Sequence, residues 1–183
     1  MKRQKELVIL ISLIAFSVGF YFIFVKSNRI GSGGRWGSGP KVGEVAPDFM
    51  LRKLGGDTIS LANYRGKVVF LNFWATWCPP CVEEMPSMEM LYQKLQGREF
   101  EILAINVGGE GEKIIRPFMD KHSLTFPVLL DPDKKTYGLY RLTGIPETFI
   151  IDKNGIIDSK IIGGQDWTAR KWLHYFDRII EKK

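Results

Sequence analysis

The residues of this chain best suited to chemistry are its two cysteines, Cys78 and Cys81, which close the run Phe70-Leu71-Asn72-Phe73-Trp74-Ala75-Thr76-Trp77-Cys78-Pro79-Pro80-Cys81. Two thiols so close in sequence cannot staple distant parts of a fold, because almost no loop entropy is removed by joining them; what they can do is close on each other and reopen. The apolar run ahead of them reads as a buried strand and the residues behind them as a helix. Cys78 is therefore expected at or near the helix N-cap and Cys81 one turn inside. Free backbone N–H groups and the positive end of the helix dipole favour a thiolate at Cys78, making it the attacking sulfur, while the more buried Cys81 resolves the mixed disulfide. Pro79 and Pro80 suit this place, since the first helical turn needs no N–H partners and their stiffness restrains the sulfurs. Trp77, Pro79 and Pro80 border the surface a partner polypeptide would meet, whereas Trp74 is equally suited to core packing.

Glu84 lies three residues after Cys81, on the same helix face. A desolvated carboxyl there could take the proton that Cys81 must lose; the competing reading is that Glu83 and Glu84 only complement the helix dipole. His122 and His174 each stand alone in the sequence. With two cysteines and two histidines, a closed four-ligand metal site within one chain is not expected, and no cofactor is implied.

The elements that must position these residues can be read from hydrophobic patterning. An N-terminal hairpin spans Phe49 to Leu61 around Gly55-Gly56-Asp57, and buried strands follow at Lys67 to Trp74, Glu101 to Val107 and Pro127 to Leu130. Helices are expected from Cys78 towards Gly97, with a kink at Pro86, over Glu112 to His122 and over Lys134 to Tyr140. Strands at Glu147 to Asp152 and Ile156 to Ile162 flank the turn pair Asn154-Gly155, and a closing helix runs from Asp166 to Lys182. Such an order predicts an α/β fold with a mixed central sheet covered by helices.

Charge and hydropathy divide the chain unevenly. Six of the basic residues and only one acid, Glu6, lie in residues 1–39, so most of the formal net charge of +6 sits there and the rest is nearly neutral, which argues against nucleic-acid binding. Leu7 to Val25 is 19 residues without a charge, which as a helix would span about 28 Å, close to the thickness of bilayer hydrocarbon. Residues 1–25 are therefore expected to be a cytoplasmic stub and uncleaved transmembrane anchor, since the run is longer than a signal h-region and no small-residue cleavage site follows. Lys2, Arg3 and Lys5 before the span lean the N-terminus inward and the body outward. Residues 26–40, rich in Gly and Ser, read as a flexible tether with a reach of roughly 20 Å, leaving residues 41–183 as the folded domain. An extracytoplasmic setting is also one where disulfides form and must be managed.

Several stretches together resemble the membrane-anchored ResA/TlpA family of thioredoxin-like thiol-disulfide oxidoreductases: Val42–Phe49, Gly66–Cys81, Glu83–Met88, Phe126–Asp131 and Gly144–Asp152. The resemblance implies a thioredoxin-like fold in which roughly residues 108–131 are an added helix and strand. It also implies that Pro146 is a cis-proline facing the cysteines, that Ile145 offers backbone groups to an extended substrate, and that Glu84 is a buried acid near the pair. Thioredoxin carries a buried aspartate where this chain has Asn72, a departure that strengthens the case for Glu84 as the acid near the pair. As partners the resemblance implies a transmembrane thiol electron donor and a protein disulfide substrate such as apocytochrome c before haem attachment, or another envelope or spore protein. Two competing functions are weaker. Val42–Phe49 also resembles peroxiredoxins, yet the Pro and the Thr or Ser they place seven and three residues before the reactive cysteine are Leu71 and Ala75 here relative to Cys78, and Trp74 and Cys78 relative to Cys81. A copper-binding module using two thiolates is the weaker reading because supporting ligands are few and no His lies near the pair in sequence.

Overall fold

The computed structural model describes residues 39–182; the expectations for an anchor over residues 1–25 and for most of the tether lie outside the described residues. Among the described residues no helix is long and apolar enough to cross a membrane. The elements are β1 (Met50–Lys53), β2 (Thr58–Ser60), a 3-10 turn (Leu61–Tyr64), β3 (Val68–Trp74), α1 (Pro79–Leu95), β4 (Phe100–Asn106), α2 (Glu112–Lys121), β5 (Val128–Leu130), α3 (Lys135–Tyr140), β6 (Glu147–Ile151), β7 (Ile157–Ile162) and α4 (Arg170–Glu181). The sheet runs β2-β1-β5-β4-β3-β6-β7. Its three inner strands β3, β4 and β5 are parallel, while β1 and β6 join them antiparallel and the hairpin partners β2 and β7 close the edges. This is the mixed sheet expected of a thioredoxin-like α/β fold.

Every residue of β3 is buried, which its unbroken run of apolar side chains around Asn72 requires of a strand covered on both faces. Alternation then sorts the core into two layers. Val68, Phe70 and Trp74 pack with α1, α2 and α4 through Met85, Met88, Ile115 and Phe176, and with Trp167 in the connection before α4. Val69, Leu71 and Phe73 face the other way, onto Leu61, Tyr140 and Phe149. Asn72 falls on the first of these faces, directly beneath α1.

Local chemistry accounts for the junctions. Asp152 accepts hydrogen bonds from the backbone N–H groups of Asn154 and Ile156, both within 3 Å, and Gly155 supplies φ +80° for the β6–β7 turn. The closing helix departs from expectation, beginning at Arg170 rather than Asp166. The Asp166 carboxylate accepts from the Thr168 N–H at 2.9 Å in a turn, and the Trp167 N–H donates to Ser87 Oγ at 3.1 Å, so these residues are spent fastening the chain to α1 before the helix starts. The added segment forms α2 and β5, and β5 sits between β4 and β1.

Candidate active site

Cys78 is the N-cap of α1, with extended backbone (φ −96°, ψ 103°), and Pro79 and Pro80 occupy the first helical positions. Cys78 and Cys81 are joined in a disulfide, with Cα atoms 5.3 Å apart. Cys78 is 4% exposed and Cys81 fully buried, so an incoming partner can reach only the former. The Ile145–Pro146 peptide is cis, and the Ile145 carbonyl oxygen lies 3.6 Å from Cys78 Sγ. Trp77 stands 61% exposed beside the pair while Trp74 is wholly buried, which assigns rim to one and core to the other.

Glu84 is 4% exposed in the layer beneath the pair. Its Oε1 accepts from Asn72 Nδ2 at 3.0 Å, and its Oε2 accepts from the Gln165 backbone N–H at 3.1 Å and from Trp167 Nε1 at 3.0 Å. Burial drives its pKa from 4.5 up to about 7, against the pull of these three donors, which favour the charged form. A carboxyl one helical turn from Cys81 and titrating near neutrality is matched to accept a thiol proton. Glu83, by contrast, points to solvent.

Sequence reasoning did not single out Gln165, Trp167 or Thr148, which complete this pocket. All three reach Glu84 or Asn72 across at least 76 positions of chain, and no local pattern carries such a contact. Gly164 has a clearer reason to be glycine, since a Cβ there would lie 3.0 Å from the Pro80 carbonyl oxygen. On the opposite side Glu110 holds the loop ahead of the cysteines: it accepts from the Thr76 backbone N–H at 3.0 Å, from the Thr76 hydroxyl, and from Asn106 Nδ2 at 2.9 Å. Glu147, next to the cis-proline, is fully buried and paired with Lys160 Nζ at 2.7 Å. Among the described residues no group of three or more His, Cys, Asp or Glu is placed to hold a metal ion.

A dithiol pair at a helix start, one sulfur accessible and the other backed by a buried acid, beside a cis-proline loop on this sheet, is the working arrangement of a thioredoxin-fold thiol-disulfide oxidoreductase. Comparison with known proteins agrees. The AhpC/TSA family model matches residues 42–160. The thiol-disulfide oxidoreductase ResA of Geobacillus kaustophilus is 39% identical over 168 residues, covering 89% of this chain and 91% of that protein. ResA of Geobacillus thermodenitrificans is 41% identical over 170 residues, covering 90% and 91%. Among solved structures, StoA from Bacillus subtilis superposes with a TM-score of 0.60 at 28% identity, covering 69% of this chain and 96% of its own. The chain thus belongs to the AhpC/TSA family and, within it, to the thiol-disulfide oxidoreductases of the ResA type.

Proposed function

We propose that this protein is a membrane-anchored, extracytoplasmic reductant of protein disulfides, with the haem-binding cysteines of an apocytochrome c as its substrate and a transmembrane thiol carrier as its electron donor. The observation that carries the reading is the placement of Glu84, a buried carboxyl titrating near pH 7, one turn from the resolving cysteine. In the reduced protein, the Cys78 thiolate attacks one sulfur of the substrate disulfide and the other substrate sulfur leaves as a thiolate. Glu84 takes the Cys81 proton, and the Cys81 thiolate attacks Cys78 Sγ, forming the Cys78–Cys81 disulfide and releasing the second substrate thiolate. Two electrons pass to the substrate, whose thiolates take up protons from water. The membrane carrier returns the pair to the dithiol by the same exchange in reverse. Ile145 and Pro146, with Trp77, Pro79 and Pro80, frame the surface on which the extended substrate segment lies.

The reduced full-length chain should reduce an oxidised C-x-x-C-H peptide faster than a peptide of the same composition with its cysteines apart, by on the order of tenfold if recognition contributes about 1.4 kcal/mol. Equal rates would favour a different envelope or spore protein as substrate.

The anchor is tested separately. The described residues 39–182 fall within one compact unit, so removal of residues 1–39 should leave a redox-active domain in solution that fails to support cytochrome c maturation in cells. A tether holds the site at an effective concentration of about millimolar near a membrane donor, and that advantage is lost on release. Full complementation by the truncated chain would contradict the anchored reading.

A further inference from the structure

We propose that Asn72 is a positioning residue for the proton of Glu84: its side-chain amide turns over when Glu84 is protonated, presenting Nδ2 to the carboxylate and Oδ1 to the acid. The inference rests on the reading of Glu84 as proton acceptor for Cys81 and adds a device that lets the pocket hold both states.

The three hydrogen bonds to Glu84 all come from N–H groups, so the pocket as it stands fits a carboxylate. A proton on Oε2 would face two donors that cannot become acceptors, a backbone amide and an indole. Neither has freedom to leave. The Gln165 N–H is fixed by the chain, and Trp167 is fully buried with its ring edge-on to Phe70, centroids 4.6 Å apart. The proton therefore belongs on Oε1, whose one partner is Asn72 Nδ2. Of the three donor residues Asn72 alone can exchange a donor for an acceptor, because its O and NH2 groups are nearly isosteric and interchange by a half-turn about χ2.

An independent observation points the same way. Asn72 is wholly buried, and its Oδ1 has no hydrogen-bond partner. Buried acceptors are seldom left unpaired, so an acceptor idle while Glu84 is charged is a resource the protonated state can use. Nδ2 now donates to both Glu84 Oε1 and Thr148 Oγ1, each at 3.0 Å. After the half-turn, Oδ1 with its two lone pairs occupies that place and accepts from the Glu84 O–H and from the Thr148 hydroxyl. Thr148 can follow because a hydroxyl both donates and accepts.

Other charges do not substitute for this exchange. On α1 the neighbouring acid Glu83 is exposed, as is Asp166 in the β7–α4 connection. Glu147 of β6 lies one residue from Thr148 and so on the opposite face of the sheet, paired with Lys160 of β7 at 2.7 Å. The remaining titratable neighbours are Cys78 and Cys81 on α1, joined in the oxidised form.

The test is a pH titration of the oxidised full-length chain in detergent micelles by NMR, following the Glu84 13Cδ shift together with NOEs from the Asn72 Nδ2 protons. Above the Glu84 midpoint these protons should show NOEs to Glu84 and Thr148 side-chain protons, and below it the NOEs should vanish with the same midpoint. In Glu84→Gln, whose own amide donates to Oδ1, the inverted orientation should persist at every pH. NOEs that survive unchanged while Glu84 titrates, or an Asn72 orientation in Glu84→Gln matching that of the charged wild-type state, would overturn the proposal. Exchange kinetics of Glu84→Gln separate this from the reading beneath it: an unaltered pH–rate profile removes Glu84 from proton transfer whether or not Asn72 turns, and an altered profile with a stationary Asn72 removes only the turnover.

Discussion

Replacing Cys81 by serine is expected to abolish turnover and convert the protein into a covalent trap for its partners. The two sulfurs divide the work by position: Cys78 caps α1 and is the one a partner can reach, while Cys81 is fully buried one turn inside. Removing Cys81 leaves the first attack intact and removes the second, so the mixed disulfide between Cys78 and its partner should accumulate instead of resolving within the catalytic cycle. Non-reducing electrophoresis of cells expressing Cys81→Ser, followed by mass spectrometry, reads the result. Under the proposed function two adducts are expected, a c-type apocytochrome through a cysteine of its C-x-x-C-H segment and a membrane thiol carrier. A spread of unrelated secreted proteins would argue for a general oxidase or isomerase. Absence of any adduct while Cys78 remains alkylatable would remove protein disulfide exchange from consideration.

What could be read in advance divides along a physical line. Cys78 and Cys81 were legible because their chemistry is local: an apolar strand, a two-proline helix start and a thiol at the N-cap are all fixed by a dozen adjacent residues. The Asn154-Gly155 turn was legible for the same reason, since φ +80° at Gly155 is a property of one residue. The surroundings of Glu84 were not. Its position on the Cys81 face followed from helix periodicity, but its donors come from β3 and from the connection before α4, and only folding brings them together. The late start of α4 has the same origin: Asp166 and Trp167 continue a helical pattern in sequence, yet their hydrogen bonds to Thr168 and Ser87 hold them in a turn. Nor does the sequence state that β5 inserts between β4 and β1, because strand order is set by how α2 crosses the sheet and not by any pattern within the strand.

Glu84→Gln should slow exchange at neutral pH and stabilise the fold by an amount that grows as pH rises from 4.5 to about 7. In the folded protein burial raises the Glu84 pKa from 4.5 to about 7, so the folded state holds this proton to higher pH than the unfolded chain does. Stability from this source is complete below pH 4.5, declines as pH rises from there, and is gone above about 7. At about 1.4 kcal/mol per pKa unit, the loss amounts to roughly 3 kcal/mol. Glutamine carries no charge to bury, so the variant should match the parent near pH 4.5 and exceed it at pH 8 by up to about 3 kcal/mol, less whatever the altered hydrogen bonding to Asn72 costs. Chemical denaturation at the two pH values measures this. Kinetics should move in the opposite sense, because the charged form that destabilises the fold is the one able to take the Cys81 proton. In the parent, resolution of the mixed disulfide should accelerate as pH rises through about 7, a midpoint that a nearby thiolate would push higher by like-charge repulsion. In the variant that limb should disappear, with a deficit of about 10- to 100-fold at pH 7 to 8 that narrows at higher pH, where Cys81 ionises unaided. A variant stabilised at pH 8 with an unaltered rate profile would leave Glu84 as a buried charge without a part in proton transfer. A slowed variant with no gain in stability would mean that its three hydrogen bonds already compensate the cost of burying the charge.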